Sequence, residues 1–279
     1  HIVSRRQRQM CIRDSISASE AAPSKATPYQ RLISLGIKNS NLSEIEQQLN
    51  QHSIRLDNTT PLAVLGIYYA QQGDIEKSGN YLSSIKQKSK DESVLHYALY
   101  NIHYLQALYH LRTSNIVLAK QELFSALATE PESPRLLALL TELEVQQKNY
   151  REAKRIAQQI ERDNKPLGNQ LLGYVAYSQQ QWTEAVDEYL LAWQSAPDDN
   201  IASKLHSSLK HYAPQRADEF LDEWQSTLPR SHIASNIRIN TLLLAGNMRE
   251  AIPLMFEISE SQPNNCLLYT SDAADERRC

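Results

Sequence analysis

The chain has 279 residues, 41% hydrophobic and 22% charged, with only seven glycines and eleven prolines, which excludes collagen-like, linker-like and disordered compositions and leaves enough length to bury a core. A formal charge of −3 supplies no concentrated basic face for phosphates, so no nucleic-acid partner is expected. The longest apolar stretch, Leu62 to Ala70 with Gly66 inside it, falls far short of the ~20 residues that a membrane-spanning helix needs, so no transmembrane segment is predicted.

Residues 1–15 carry four arginines against one aspartate and do not begin with methionine. Together with residues 266–279 they hold all three cysteines, Cys11, Cys266 and Cys279. Both segments are similar to translated sequencing-adapter read-through and are expected to be non-native tails outside the fold. The body between them carries 23 basic and 28 acidic residues and no cysteine, so it has no disulfide or thiolate chemistry. Residues 16–58 read as an N-terminal helical segment, with Leu32, Ile33 and Leu35 before Asn41 and Ile45 and Leu49 after it. This segment fits no repeat motif.

From residue 59 to 265 one offset recurs, a small residue followed twelve positions later by proline: Ala119/Pro131, Ala185/Pro197, Ala217/Pro229 and Ala251/Pro263, with Ala153/Pro166 one residue out of step. Successive anchors lie 34, 32, 32 and 34 residues apart, and an earlier anchor, Ser78, precedes Ala119 by 41. Each copy reads as two helices. In the second, apolar residues follow the anchor at four and seven positions: Leu123 and Ala126, Ala157 and Ile160, Tyr189 and Ala192, Leu221 and Trp224, Met255 and Ile258. Such positions share one helix face. The alanine admits the partner helix closely, and proline ends the run. The turns Gly73-Asp74, Lys148-Asn149 and Gly246-Asn247 fall four to five residues before their anchors, where a helix hairpin should reverse. The first helices around 200–213 and 233–244 match the pattern poorly and are expected to be irregular. The fold class is therefore all-α, an α-solenoid of about six antiparallel helix pairs.

The copy from Pro166 to Pro197, with Leu172, Gly173, Trp182, Ala185, Tyr189, Ala192 and Pro197, resembles the tetratricopeptide repeat. That resemblance implies a superhelix whose inner surface is built from first-helix positions and binds a protein or peptide partner. Carried over residue by residue, it names Asn101, Tyr104 and Leu108; Arg135, Glu142 and Val145; Gln170, Tyr174 and Tyr177; His206 and Lys210; and Asn236 and Asn240. Amides can satisfy an extended peptide backbone and aromatics supply contact area. The alternative at each position is a solvated polar residue or a core tyrosine.

No catalytic constellation accompanies this pattern. His96, His103 and His110 recur every seven residues, but that spacing separates them by ~10 Å along a helix, too far to share a zinc ion. There is no His-Glu-x-x-His, no Gly-x-Ser-x-Gly and no phosphate loop. The acidic pairs Asp198-Asp199 and Asp222-Glu223 read as solvated charge. Neither an enzymatic activity nor a cofactor or metal is expected. From Gly168 onward, Lys204-Leu205-His206, Trp224 with Pro229, and Leu243 to Gly246 with Ala251 and Pro263 are similar to the carboxy-terminal half of the repeat lipoproteins of bacterial PEP-CTERM/exosortase systems. This implies a fragment of a longer, exported envelope protein, in the periplasm or at the outer membrane. A cytoplasmic tetratricopeptide adaptor or co-chaperone, and the regulatory array of a larger enzyme, stand as alternatives. The oligomeric state is open.

Overall fold

The computed structural model describes residues 5–261, with side chains from residue 10 to 257. Among the described residues every regular element is helical, and the chain divides into two units. The first, His1–Leu143, contains α1 (Arg5–Ala21), α2 (Ala26–Lys38), α3 (Leu42–Arg55), α4 (Thr60–Gln72), α5 (Ile75–Lys88), α6 (Glu92–Arg112) and α7 (Ile116–Leu127). Helix α8 (Pro134–Gln146) runs through the division. The second unit, Glu144–Cys279, continues with α9 (Tyr150–Asp163), α10 (Lys165–Ser178), α11 (Trp182–Ser195), α12 (Asp199–Tyr212), α13 (Pro214–Thr227), α14 (His232–Leu244) and α15 (Met248–Ser261). The first helices that match the pattern poorly, α12 and α14, are nevertheless continuous helices of 14 and 13 residues. Pro263 and residues 266–279 lie outside the described residues, as does the side chain of Ile258.

Every hairpin but one reverses through the same backbone device. At Ser40, Gly73, Ser114, Lys148, Gln180 and Gly246, φ lies between 57° and 79°, the left-handed conformation that ends a helix in a Schellman motif. In each case the next residue's N–H bonds the carbonyl five positions before it, as from Asp74 to Tyr69, Asn115 to His110, Asn149 to Glu144 and Gln181 to Ala176, at 2.8 to 2.9 Å. That next residue is also the N-cap of the second helix. Asp74 and Asn115 use their side chains for it, accepting from the N–H of Lys77 and of Leu118. The exception is the turn into α13, where Ala213 has φ −150° and ψ 79° and Pro214 occupies the first turn, where the missing proline N–H would have no intrahelical partner in any case.

The left-handed residue sits five positions before the anchor in every hairpin that has one, and this fixed offset aims each anchor at the partner helix. Ser78, Ala119, Ala153, Ala185, Ala217 and Ala251 are all at 0% exposure. The positions four and seven beyond are buried as the periodicity requires, from Leu123 and Ala126 to Leu221 and Trp224, while Met255 is half-buried. First helices also touch first helices, α2 with α4 and α4 with α6 in the first unit, α10 with α12 and α12 with α14 in the second. One layer of each unit is thus a continuous row of first helices.

Two differences from the sequence expectation have clear causes. Helix α1 crosses the expected tail boundary at residue 15: Ile12, Ser15, Ile16 and Ser19 recur on one face, Ser15 and Ser19 are buried, and Ile12 and Ile16 pack against the core of α2 to α4. Ile12 and Ser15, on the expected tail side of that boundary, therefore contribute to the packing. The 41-residue spacing after Ser78 is absorbed by α6, which has 21 residues where α4 has 13. Counted back from the left-handed residue that closes each hairpin, α4 begins 13 residues earlier and α6 begins 22 earlier. The nine extra residues, about two and a half turns and ~13 Å of helix, are at the amino-terminal end of α6.

Candidate binding surface

In the first unit, the predicted residues gather around α6. Tyr104 is buried to 9% exposure beneath the guanidinium of Arg135, whose Cζ is 4.1 Å from the ring centroid, within cation–π range. Its other neighbour is Tyr100, nearly parallel at 6.4 Å. Asn101 is half-buried and its Nδ2 donates to the Tyr97 carbonyl at 2.8 Å. Glu142 is exposed, yet the surrounding protein raises its carboxyl above the ordinary value by desolvation. Leu108 is half-buried.

In the second unit, Tyr177 is half-buried and its hydroxyl shares a hydrogen bond with Ser207 Oγ at 3.0 Å. Its ring meets the edge of Trp182 at 5.3 Å and lies 5.4 Å from Lys204 Nζ. Trp182 in turn stacks on His211 at 4.3 Å. Tyr174 packs against the buried core and Gln170 is half-buried. Asn236, Asn240 and Lys210 are exposed, the two asparagines four residues apart on α14 and therefore on one face.

Besides Tyr104, two predicted positions are buried. Val145 is 6% exposed and packs with Ala153 and Val175, because on α8 it falls on the side that meets the second helix. His206 is 4% exposed with no partner at Nε2. Burial lowers its pKa, Lys210 and Arg238 act in the same direction, and Asp218 opposes them. It reads as a neutral core histidine.

The acidic pairs are also more than solvated charge. Asp198 caps α12 by accepting from the N–H of Asn200 and Ile201, while Asp199 accepts from Trp224 Nε1 at 2.9 Å. Glu223 accepts from Trp193 Nε1 at 2.9 Å, and Asp222 pairs with Arg238. A buried indole must place its N–H on an acceptor; a tryptophan one repeat away from a carboxylate was the signal available in sequence. The histidines of α6 have separate partners: His96 Nε2 lies 2.9 Å from the Thr129 carbonyl, His103 Nδ1 2.6 Å from Glu122, and His110 packs on the Tyr109 ring. Among the described residues no group of three or more potential ligands could hold a metal ion, and no helix is long and apolar enough to cross a membrane.

No family model matches the chain, and no curated protein matches it. Solved structures do. Pseudomonas aeruginosa PilF superposes with a TM-score of 0.50 at 17% identity, over 78% of this chain and 97% of that one. A tetratricopeptide repeat protein from Parabacteroides merdae gives 0.53 at 15% identity, over 87% and 96%. Yeast Tom70 gives 0.57 at 14% identity, over 98% of this chain and 60% of that one. At such identities the likeness speaks for the fold, and together with the buried anchors and the repeated hairpin it gives the chain the tetratricopeptide-repeat α-solenoid fold.

Proposed function

We propose that the chain is a non-catalytic scaffold that binds protein or peptide partners on its first-helix surfaces. The carrying observation is the row of first helices in each unit. Their backbone is satisfied internally, and they leave side chains of mixed chemistry, Arg135 and Glu142 in one unit and Tyr177, Lys210, Asn236 and Asn240 in the other, available to a partner. Extended segments are recognised by such surfaces through amides for the backbone and aromatics for area. No constellation for acid–base, nucleophilic or metal chemistry accompanies these residues, and the acidic balance of the chain supports a protein rather than a nucleic-acid partner.

Selection of a random peptide display library against the intact chain tests this. Enrichment of sequences whose binding falls with Tyr177→Ala or Asn240→Ala, at unchanged melting temperature, supports the scaffold. No enrichment, or losses of binding that only follow losses of stability, overturns it. The finer setting we propose, assembly or export of surface material in a bacterial envelope, rests on the similarity from Gly168 onward to the PEP-CTERM-associated lipoproteins. Long reads through the genomic locus test it: an upstream lipobox and neighbouring exosortase genes support it, and a short closed frame without an export signal leaves a cytoplasmic adaptor.

A further inference from the structure

The amino-terminal extension of α6 lines an open groove. The groove, of about 650 Å³, is lined by Glu92, Ser93, His96, Tyr97, Tyr100 and Asn101 of α6 and by Glu130 from the connection between α7 and α8. Glu92, His96 and Tyr100 recur every four residues, as do Ser93, Tyr97 and Asn101, so they form one face, and all but Asn101 lie in or at the edge of the extension. We propose that this groove receives an arginine or lysine side chain of an extended peptide.

Three observations converge on that ligand. The lining carries two carboxylates and no lysine or arginine, so its charge is complementary to a cation. It carries two tyrosine rings, whose faces attract cations. And the same aromatic stack already takes a guanidinium from this chain: Arg135 lies on Tyr104, Tyr104 stacks on Tyr100, and Tyr100 lines the groove. The groove thus offers the far end of a stack whose near end holds arginine. Two fixed points support the lining from below, the Tyr100 hydroxyl 3.2 Å from Ser133 Oγ and His96 Nε2 2.9 Å from the Thr129 carbonyl, so the rings are held before any ligand arrives. The Asn101 side chain, also in the lining, is anchored to the Tyr97 carbonyl.

The inference rests on the scaffold reading and sharpens it at one place, and the test separates the two. The probe is a fluorescein-labelled Gly/Ser peptide with arginine at alternate positions, compared with the same peptide carrying citrulline, which keeps the shape and loses the charge, and with one carrying glutamate. The intact chain should bind the arginine peptide about tenfold more tightly than the citrulline one, and less tightly as salt rises. Glu92→Gln with Glu130→Gln, and separately Tyr100→Leu, should each remove most of that preference at unchanged melting temperature. Equal binding of arginine and citrulline peptides, preference for glutamate, or a preference that survives the double substitution overturns the groove. If the display library still enriches peptides that compete with none of these probes, the scaffold reading stands and this site alone is wrong.

Discussion

In the second unit the repeat is nearly regular: anchors fall 32 or 34 residues apart, and two tryptophan indoles, Trp193 and Trp224, each reach a carboxylate of a neighbouring helix. In the first unit only α7 keeps an alanine anchor, Ala119; the pair before it uses Ser78 and the pair before that Ile45, and there tyrosines do the joining. Glu46 accepts from both Tyr69 and Tyr81 hydroxyls at 2.7 Å, the two rings stack at 5.9 Å, and Asn50 Nδ2 donates to Tyr81 at 3.2 Å. Burial and the adjacent carboxylate push both phenols well above their ordinary pKa. Helix pairing can therefore be satisfied in two ways, by a small residue under a large one or by a polar cluster at the seam. Ile45 makes the exchange visible, since a Cβ at Gly36 would lie 3.0 Å from its side chain; the small residue has moved to the first helix.

The strongest way to break the contrast is Trp224→Ala. It removes a side chain at 0% exposure and strands Asp199, and should cost ~3–5 kcal/mol. Calorimetry should show loss confined to the second unit; an equal fall across the whole transition would mean that the two units unfold as one. Next is Gly168→Ala. The added methyl would lie 2.3 Å from the Glu161 Cα, a backbone atom that cannot swing aside, and overpacking of this kind costs ~1–3 kcal/mol. Urea denaturation of the variant checks it.

Glu46→Gln should destabilise the first unit by ~1 kcal/mol, because two charge-assisted hydrogen bonds become neutral ones, and should leave the second unit's transition in place. His206 supplies a pH test in the opposite unit. Its folded pKa is lowered below the unfolded value, so the neutral form is favoured by folding. The unfolded chain takes up the proton first, and stability is lost as pH falls from the unfolded value near 6.5 through the folded one. His206→Gln should flatten the fall in melting temperature between neutral and mildly acidic pH. The smallest effect is expected from Gln180→Gly, which relieves a φ of 60° and should stabilise by less than ~1 kcal/mol.

Much of the fold was written in the spacing. Alanine anchors declare themselves because only a small residue fits at 0% exposure between two helices, and three of the six left-handed turns were visible through Gly-Asp, Lys-Asn and Gly-Asn. The others, at Ser40, Ser114 and Gln180, lack glycine, the usual marker of that conformation, as Lys148 does too, and their Schellman hydrogen bonds are backbone bonds that carry no side-chain signature. The candidate surface was less legible. The register placed Tyr104, Tyr174 and Tyr177 on first helices, but it could not separate a ring lying under Arg135 from one facing water, and it put Val145 and His206 outward when both are buried, Val145 against Ala153 of the second helix. The groove beside Tyr100 comes from helix length, which showed in sequence as an overlong spacing without a sign of what the extra residues would enclose.

The indole–carboxylate pairs have an optical consequence. All three tryptophans, Trp182, Trp193 and Trp224, fall in the second unit, and residues 1–143 contain tyrosine but no tryptophan. Emission excited at the red edge of the absorption band is thus an intrinsic, label-free signal from the second unit alone. Trp193 and Trp224 are buried beside anionic acceptors, so their spectrum should shift to longer wavelength when that unit opens. A peptide that docks beside Tyr100 should leave it unchanged.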